Sequence, residues 1–497
     1  MGVIIRQSIK ATIFNYIGAF IGFLTTFFIL TKYLLPELIG LTKVMYEVAA
    51  MVAGFAQLGT SASAMRFFPY FKDEKNNHNG FFFYLILMPS IGCVIFVSLF
   101  LLLKTYVIDF FIEKSALLLD YYYWLIPLIL FLTFWAVLET YANVLLKIVV
   151  PKFIKEIGIR VMLLLVYLFY ALGWLSVTEL VFGYVAVYGL AMIFLFVYIT
   201  RISSVSLKHN IAFIDKELGR KILKYTLFLI ASAISGNIIW QLDVFMVGSQ
   251  MGLEHVGVYT IASYMAFVIE MPARSITSIA SPIAASALKE GDWERANFLY
   301  KKVSLHQLMA GSILFLLLWI NIDNVFNIIP NGDIYESGKW VVFFIAMSRV
   351  VAMTLSFGGT LISFSPYYYW GLYFTFFLTG LTIVTNYYFI PRWGITGAAV
   401  ATFLTCLCSY SFQQWIVLKK IKGNPYSWKA LQHTILILVL LVLNKVLPQW
   451  TQNPYWDAIY RTLIITICWL VAVYQFKISQ ELNNMIRDFF DKFIHKK

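Results

Sequence analysis

The sequence predicts an all-α polytopic membrane protein of about fourteen transmembrane helices, and three observations carry that prediction. First, 61% of the 497 residues are apolar, 18% are aromatic and only 13% are charged, with a mean hydropathy of +0.78. Soluble domains run near 45–50% apolar and about 25% charged. Second, apolar runs of bilayer length, roughly 20 residues each, follow one another through the whole chain with short polar punctuation. Third, Lys and Arg gather in every second connecting segment, the asymmetry that sets membrane orientation. This composition excludes a disordered chain, a disulfide scaffold and a large water-soluble catalytic domain.

The spans follow in order. Residues 11–31 form the first, preceded by Arg6 and Lys10; it is too long for a signal-peptide core and lacks a small-residue cleavage site, so it stays as a helix. Spans two to six are 44–67, 81–103, 121–146, 153–175 and 178–200. The polar stretch 201–223 separates these from spans seven to twelve, at 224–248, 256–281, 304–322, 340–361, 368–390 and 394–417. Spans thirteen and fourteen are 431–447 and 459–476. The organisation expected is therefore an N-terminal lobe over 1–200, an interlobe loop over 201–223 and a C-terminal lobe over 224–417. An accessory pair over 418–476 and an amphipathic tail over 477–497 complete it. In the tail Ile478, Leu482, Met485, Phe489 and Phe493 share one helical stripe, with Lys492, Lys496 and Lys497 near its end, which suits a helix lying in the membrane interface.

With a cytoplasmic N-terminus, 28 of the 38 Lys and Arg residues fall in inside segments and 8 in outside segments; Arg274 and Arg349 lie within spans. That ratio places both termini in the cytoplasm. The net charge of +13 then reports topology, and no nucleic-acid partner is expected. Cys93, Cys406, Cys408 and Cys468 sit in apolar runs without a CxxC and are read as small core residues. The six His residues have no metal-ligand spacing, so no cofactor or metal is expected.

The first twelve spans contain a repeat. Glu37-Leu38-Ile39-Gly40-Leu41 stands against Glu254-His255-Val256-Gly257-Val258, each opening the second span of a six-span unit, and each unit then runs to a proline, Pro69 or Pro282. Parallel repeats of this kind place a substrate site between two bundles, the architecture of a transporter.

Several segments resemble the polysaccharide transporter family of the multidrug/oligosaccharidyl-lipid/polysaccharide exporter superfamily. They are Tyr33-Leu34-Leu35-Pro36-Glu37-Leu38-Ile39-Gly40-Leu41, Arg66-Phe67-Phe68-Pro69-Tyr70-Phe71, and Leu242-Asp243-Val244-Phe245-Met246-Val247-Gly248 followed by Val256-Gly257-Val258-Tyr259. The most specific is Ile390-Pro391-Arg392-Trp393-Gly394-Ile395-Thr396-Gly397-Ala398-Ala399-Val400-Ala401-Thr402. The resemblance implies two six-helix lobes around a V-shaped central cavity, plus two accessory helices. It implies a flippase that moves an undecaprenyl-pyrophosphate-linked oligosaccharide from the inner to the outer leaflet of a bacterial inner membrane. A glycan polymerase and a chain-length regulator are the protein partners this implies. Lipid II flippases of similar plan typically carry arginine in the first span, and many drug exporters a carboxylate there; 11–31 has only Asn15 and hydroxyl residues. Both absences favour the O-antigen or capsule type.

A charge at the bilayer centre costs roughly 2.5–3.5 kcal/mol on insertion scales, so each one needs a reason. Arg349 and Arg274 are expected to line the cavity and bind the pyrophosphate, since the planar guanidinium gives phosphate two parallel hydrogen bonds. The competing reading pairs Arg274 with Glu270 at i and i+4 as a packing contact. Arg66, Lys147 and Arg160, near inner ends of spans, either guide a lipid headgroup or snorkel to the interface. Asp243, in a polar stripe with Asn237 and Gln241, and Glu139 are candidates for H+ or Na+ coupling, the alternative being structural hydrogen bonds; the membrane potential could also drive the step. Glu47 is read as nearer the outer end of its span. Pro272 is expected to kink span eight and act as a hinge. Gly18 and Gly22 form a GxxxG, read as helix packing. A cation-coupled multidrug exporter of the same fold is the alternative function. A membrane glycan polymerase or ligase is disfavoured, because the longest outside loops, 104–120 and 323–339, are only 17 residues each, and Asp109, Glu113 and Asp120 have no evident partner histidine.

Overall fold

A computed structural model describes residues 2–73, 75–106, 115–203, 216–448, 451–484 and 487–488, with side chains of 2–12, 216, 218, 223–224 and 227–240 excepted. The described residues are helical, with no strand among them. Eleven helical stretches among them are long and apolar enough to cross a bilayer. One of these, Trp370–Ile421, has 52 residues and is broken at Gly394 (φ 59°, ψ −139°). At 1.5 Å per residue it would measure roughly 78 Å, more than twice a 30 Å hydrocarbon core, so it crosses twice. The helical run from Val149 to Ala171 and the helix Lys216–Met251 add one crossing each, which gives the fourteen that hydropathy predicts.

The helices used below are α1 (Gly2–Leu24), α2 (Pro36–Ala56), α3 (Thr60–Phe71), α4 (Leu125–Val144), α5 (Ile159–Ala171), α6 (Val177–Ile202) and α7 (Lys216–Met251). They continue as α8 (Leu253–Phe267), α9 (Met271–Lys289), α10 (Trp293–Ile320), α11 (Lys339–Leu355), α12 (Trp370–Ile416), α13 (Trp428–Val446) and α14 (Pro454–Gln475). Local sequence sets their ends. Ser176 and Glu179 form a reciprocal capping box at α6, Asp292 caps α10, Ser427 caps α13, and Asn453 caps α14 ahead of Pro454.

The second span of each repeat is broken. In the first, α2 stops and α3 starts across Leu58 (φ 49°) and Gly59 (φ 68°), both left-handed. In the second, α8 tightens to a 3-10 turn at Val268–Glu270 immediately before α9, whose second residue, Pro272, lacks a backbone donor. The expected kink at Pro272 is thus a change of helix type one turn earlier.

The chain divides into two compact units, Met1–Thr260 and Ile261–Lys497. The core of the first packs Phe68, Phe81 and Phe82 around Tyr141 of α4. The first unit also holds both copies of the repeated motif, and they touch. A Cβ on Gly40 would collide with the Leu253 carbonyl and one on Gly257 with the Pro36 carbonyl, so each glycine admits the other motif's backbone. Gly18 plays a similar part in α1, where a Cβ would strike the Glu156 backbone; this is the close packing expected of the first-span GxxxG.

The second unit has two cores. In one, Tyr300 donates to the Gln414 side chain at 2.6 Å. In the other, α10, α13 and α14 meet around His433, which accepts from Trp469 Nε1 at 3.0 Å. The start of the tail joins this second core: Ile478 is buried, Leu482 packs on it, and Glu481 pairs with Lys302 at 2.5 Å. The tail's first turn therefore docks on the protein, because its stripe meets an apolar surface already formed by α10 and α14. Met485, Phe489 and Phe493 lie outside the described residues. Two expectations are corrected here. Cys408 is exposed, not in the core, whereas Cys93 is buried; Cys406 and Cys408, two apart, point to different sides of one helix. Glu47 lies midway along α2, not near a span end, since that helix begins at Pro36. Lys43, read as the boundary, pairs with Glu47 at 2.6 Å within the same helix.

Candidate substrate site

In the second unit, Glu270 closes the 3-10 turn that precedes α9, and Arg349 projects from α11. Arg349 Nη1 donates to Glu270 Oε2 at 2.9 Å, with the side chains 22% and 28% exposed. Beside them Cys406 of α12 donates to the Ser348 carbonyl at 3.3 Å. The i,i+4 pair expected between Glu270 and Arg274 is replaced by this inter-helix pair. The reason is geometric: i,i+4 side chains face each other only along continuous α-helix, and the 3-10 turn ends at Glu270. Arg274 is exposed, its guanidinium 5.2 Å from the Phe267 ring centroid. An arginine paired with a half-open carboxylate can exchange that carboxylate for another anion. A phosphate offers the same planar acceptor edge with more charge.

In the first unit the basic candidates are not gathered into one group. Arg66 is exposed and stacks over Tyr225 at 4.2 Å, and Lys147 is exposed after the left-handed Leu146. Arg160 is committed, donating to the Gly18 carbonyl at 2.5 Å and to Glu156 at 3.2 Å. Asp243 accepts from the Tyr259 hydroxyl at 3.2 Å; the side chain of Asn237, its expected companion, lies outside the described residues.

Glu139 belongs to a larger polar cluster that sequence reading left dispersed. It pairs with Lys155 at 3.0 Å, while Glu47 pairs with Lys43 and Glu156 with Arg160. Tyr46 of α2 lies within electrostatic reach of all three carboxylates. Its ring packs against Tyr188 of α6 at 5.6 Å, and Tyr188 against Tyr184 at 5.5 Å. Lys155 and Glu156 lie in a π-helical turn, Ile154–Gly158, that joins the two ends of the fifth span. The i,i+4 spacing of Glu156 and Arg160 inside an apolar run was the available signal; the π turn that aims Lys155 at Glu139 leaves none.

The fold is shared with solved transporters. A structure titled lipid II flippase MurJ, inward closed conformation, superposes with a TM-score of 0.74 at 13% identity, covering 95% of this chain and 98% of that one. An inward-facing multidrug resistance MATE family transporter of the MOP superfamily gives 0.58 at 14% identity, over 84% of this chain and 99% of that one. A MOP superfamily transporter from Pyrococcus furiosus gives 0.53 at 14% identity, over 85% and 96%. At these identities the likeness is one of fold, a multi-pass membrane transporter fold. A sequence search against curated proteins returned no match. The family model described as polysaccharide biosynthesis protein matches residues 4–287, more than half of the chain and the whole stretch that carries both motif copies. On that match, the chain belongs to the polysaccharide biosynthesis protein family.

Proposed function

We propose that this chain is a flippase that carries a lipid-linked oligosaccharide, an undecaprenyl-pyrophosphate repeat unit of O-antigen, capsule or exopolysaccharide, from the cytoplasmic to the periplasmic leaflet by alternating access. The observation that carries the reading is the half-open Arg349–Glu270 pair at a helix break in the eighth span. Intramembrane arginines mark substrate paths, and broken helices mark binding sites in transporters of repeated architecture. Arg349 takes the pyrophosphate, displacing Glu270, and exposed Arg274 assists. Arg66 and Lys147 attract the headgroup at the cytoplasmic leaflet, while Arg160 acts chiefly in holding α1. The polyprenyl tail stays in lipid. Asp243, Glu270 and Glu139 are the carboxylates available for H+ or Na+ coupling, Pro272 marks the hinge, and an inside-negative potential favours anion exit by about 2.3 kcal/mol per charge per 100 mV. The protein sits in the bacterial inner membrane with both termini cytoplasmic, beside a glycan polymerase and a chain-length regulator.

The test is surface glycan display in a flippase-deletion strain complemented with this chain or with Arg349→Ala. Restoration by the unmodified chain, and lipid-linked intermediates trapped on the cytoplasmic side with the variant, is the expected result. Failure of the unmodified chain to restore display, with altered dye or drug resistance instead, would replace this reading with multidrug export.

A further inference from the structure

The second unit carries a cavity of 590 Å³ whose lining includes none of Arg349, Arg274 and Glu270. It lies where the start of α13 passes α10 and α11, between Leu308, Thr354, Pro425, Tyr426, Trp428 and Leu431. Hydrogen bonds fix its wall. Asn297 Oδ1 of α10 accepts from the Asn424 backbone at 2.7 Å, Gln414 Nε2 of α12 donates to the Gly423 carbonyl at 3.2 Å, and the Tyr426 backbone donates to Asn424 Oδ1 at 2.9 Å. The segment from Gly423 to Ser427 is thereby held against α10 and α12, and it opens α13 with the N-cap of Ser427 at the cavity.

Four serine and threonine residues line the cavity, and three have committed their hydroxyls. Thr354 donates to the Val350 carbonyl at 2.8 Å, Thr434 donates to the Ala430 carbonyl at 2.9 Å, and Ser427 accepts from the Ala430 N–H at 3.1 Å. Ser304 differs. It is 1% exposed and its hydroxyl has no partner among the described residues, although a helical serine ordinarily donates to the carbonyl four residues back. A buried hydroxyl without a partner is costly, so this one asks for an acceptor inside the cavity. Asn297, Lys301, Ser304 and Leu308 form one stripe of α10, at i, i+4, i+7 and i+11. Half-buried Lys301 therefore stands about 4.5 Å nearer the helix start than Ser304. Its neighbour Lys302 is taken by Glu481, whereas no carboxylate among the described residues pairs with Lys301.

A donor at Ser304, a cation at Lys301 and the positive end of the α13 dipole suit an anion. The rest of the lining is mostly apolar and suits hydrocarbon. We propose that this cavity binds one anionic phospholipid of the bilayer. Its phosphodiester sits between Lys301 and the start of α13, an ester oxygen accepts from Ser304, and one acyl chain lies against Leu308 and Leu431. The volume falls in the roughly 300–1,000 Å³ range of small-molecule sites, enough for one acyl chain and its ester but not for an undecaprenyl chain. Exposed Tyr426 and Trp428 mark the headgroup level. Lys419, Lys420, Lys422 and Lys429 in the same connection place the site at the leaflet that the charge asymmetry reads as cytoplasmic. A glycerol headgroup brings no ammonium to compete with Lys301, so phosphatidylglycerol is preferred over phosphatidylethanolamine. The lipid fills the seam between α13 and the α10–α11 pair. The inference rests on the membrane fold and not on the flippase reading.

The test titrates delipidated full chain in detergent with dioleoyl phosphatidylglycerol or dioleoyl phosphatidylethanolamine, counting bound lipids by native mass spectrometry and following the melting temperature. One tightly bound phosphatidylglycerol per chain and a higher melting temperature are expected. Lys301→Gln should weaken that binding about tenfold and Ser304→Ala about fivefold, the scale of one charged and one neutral hydrogen bond. Lys429→Gln removes a charge at the same end of α13 but about 200° around the helix from Leu431, and it should leave the affinity unchanged. Equal binding of the two lipids, equal affinity in Ser304→Ala and the unmodified chain, or the same loss from Lys429→Gln as from Lys301→Gln overturns the site. Inorganic phosphate that raises the melting temperature as much as the lipid would make it a free-phosphate site and overturn the proposal. Undecaprenyl phosphate that displaces phosphatidylglycerol at equal concentration would do the same, by assigning the cavity to a polyprenyl tail.

Discussion

Removing Arg349 and Glu270 singly and together separates a phosphate ligand from a packing pair. At 2.9 Å two unit charges attract by about 6 kcal/mol at an effective dielectric of 20. Desolvation takes back much of that. Breaking a fully buried pair costs roughly 3–5 kcal/mol, whereas an exposed pair is worth roughly 0.2–1 kcal/mol. With 22% and 28% of the side chains exposed, a coupling of about 2 kcal/mol lies between those limits. Arg349→Ala and Glu270→Gln should each lower the thermal midpoint of the purified protein by several degrees, at about 2–4 °C per kcal/mol for a unit of this size. The double variant should lose less than the sum of the two. Function divides differently. Arg349→Ala should abolish glycan display in the deletion host, and adding Glu270→Gln should recover part of the lost melting temperature without restoring display, because the phosphate still lacks its ligand. The assays are a melting curve in detergent and quantitative display of surface glycan. Recovery of display in the double variant would refute the reasoning, since Arg349 would then have served only to neutralise Glu270.

Gly40→Ala and Gly257→Ala each force a methyl against a carbonyl of the opposite motif and should cost about 1–3 kcal/mol, read as lower membrane yield and an earlier melt. Trp469→Phe leaves the buried His433 nitrogen without its donor and should cost about 1–3 kcal/mol by the same measurement, whereas Trp469→Phe with His433→Leu should recover part of it. Lys302 holds the Glu481 carboxyl well below the usual carboxylate range, down to about 2. A depressed carboxylate contributes stability that is present above about pH 4.5 and lost as pH falls towards 2. Proteolysis of the tail should therefore stay slow from pH 7 to 5 and accelerate below about pH 4, and Glu481→Gln should show the fast rate at pH 7. A tail cut equally fast at every pH would contradict the docking.

Hydropathy read the span count well because each crossing must satisfy its own backbone in lipid, which writes a long apolar run into the chain regardless of tertiary context. Boundaries were harder where a charge was neutralised inside the helix. Lys43 looked like the edge of the second span, yet Glu47 one turn on lets α2 begin at Pro36. Pairing was least legible. Glu270 and Arg274 have the spacing of a helix pair, and the sequence carries Pro272 as a warning, but the partner supplied from α11 is 79 residues away. The same holds for Lys155 and Glu139, brought together by a π turn that no residue pattern announces. Within-helix geometry is periodic and can be read; geometry between helices depends on crossing angles that the periodicity does not encode.

The contact of the two motif copies has the form of a two-fold interface folded into one polypeptide: what Gly40 does to the backbone at Leu253, Gly257 does to the backbone at Pro36. In a symmetric dimer, residue i meets j and j meets i, so one substitution strikes the interface twice. In a single chain that carries both copies of the motif the two strikes become independent, and neither can be repaired from the opposite side. The obstacle each added methyl would meet is a main-chain carbonyl, and no side-chain change there can shrink it. A substitution at either glycine therefore has no compensating side-chain change on the opposite motif.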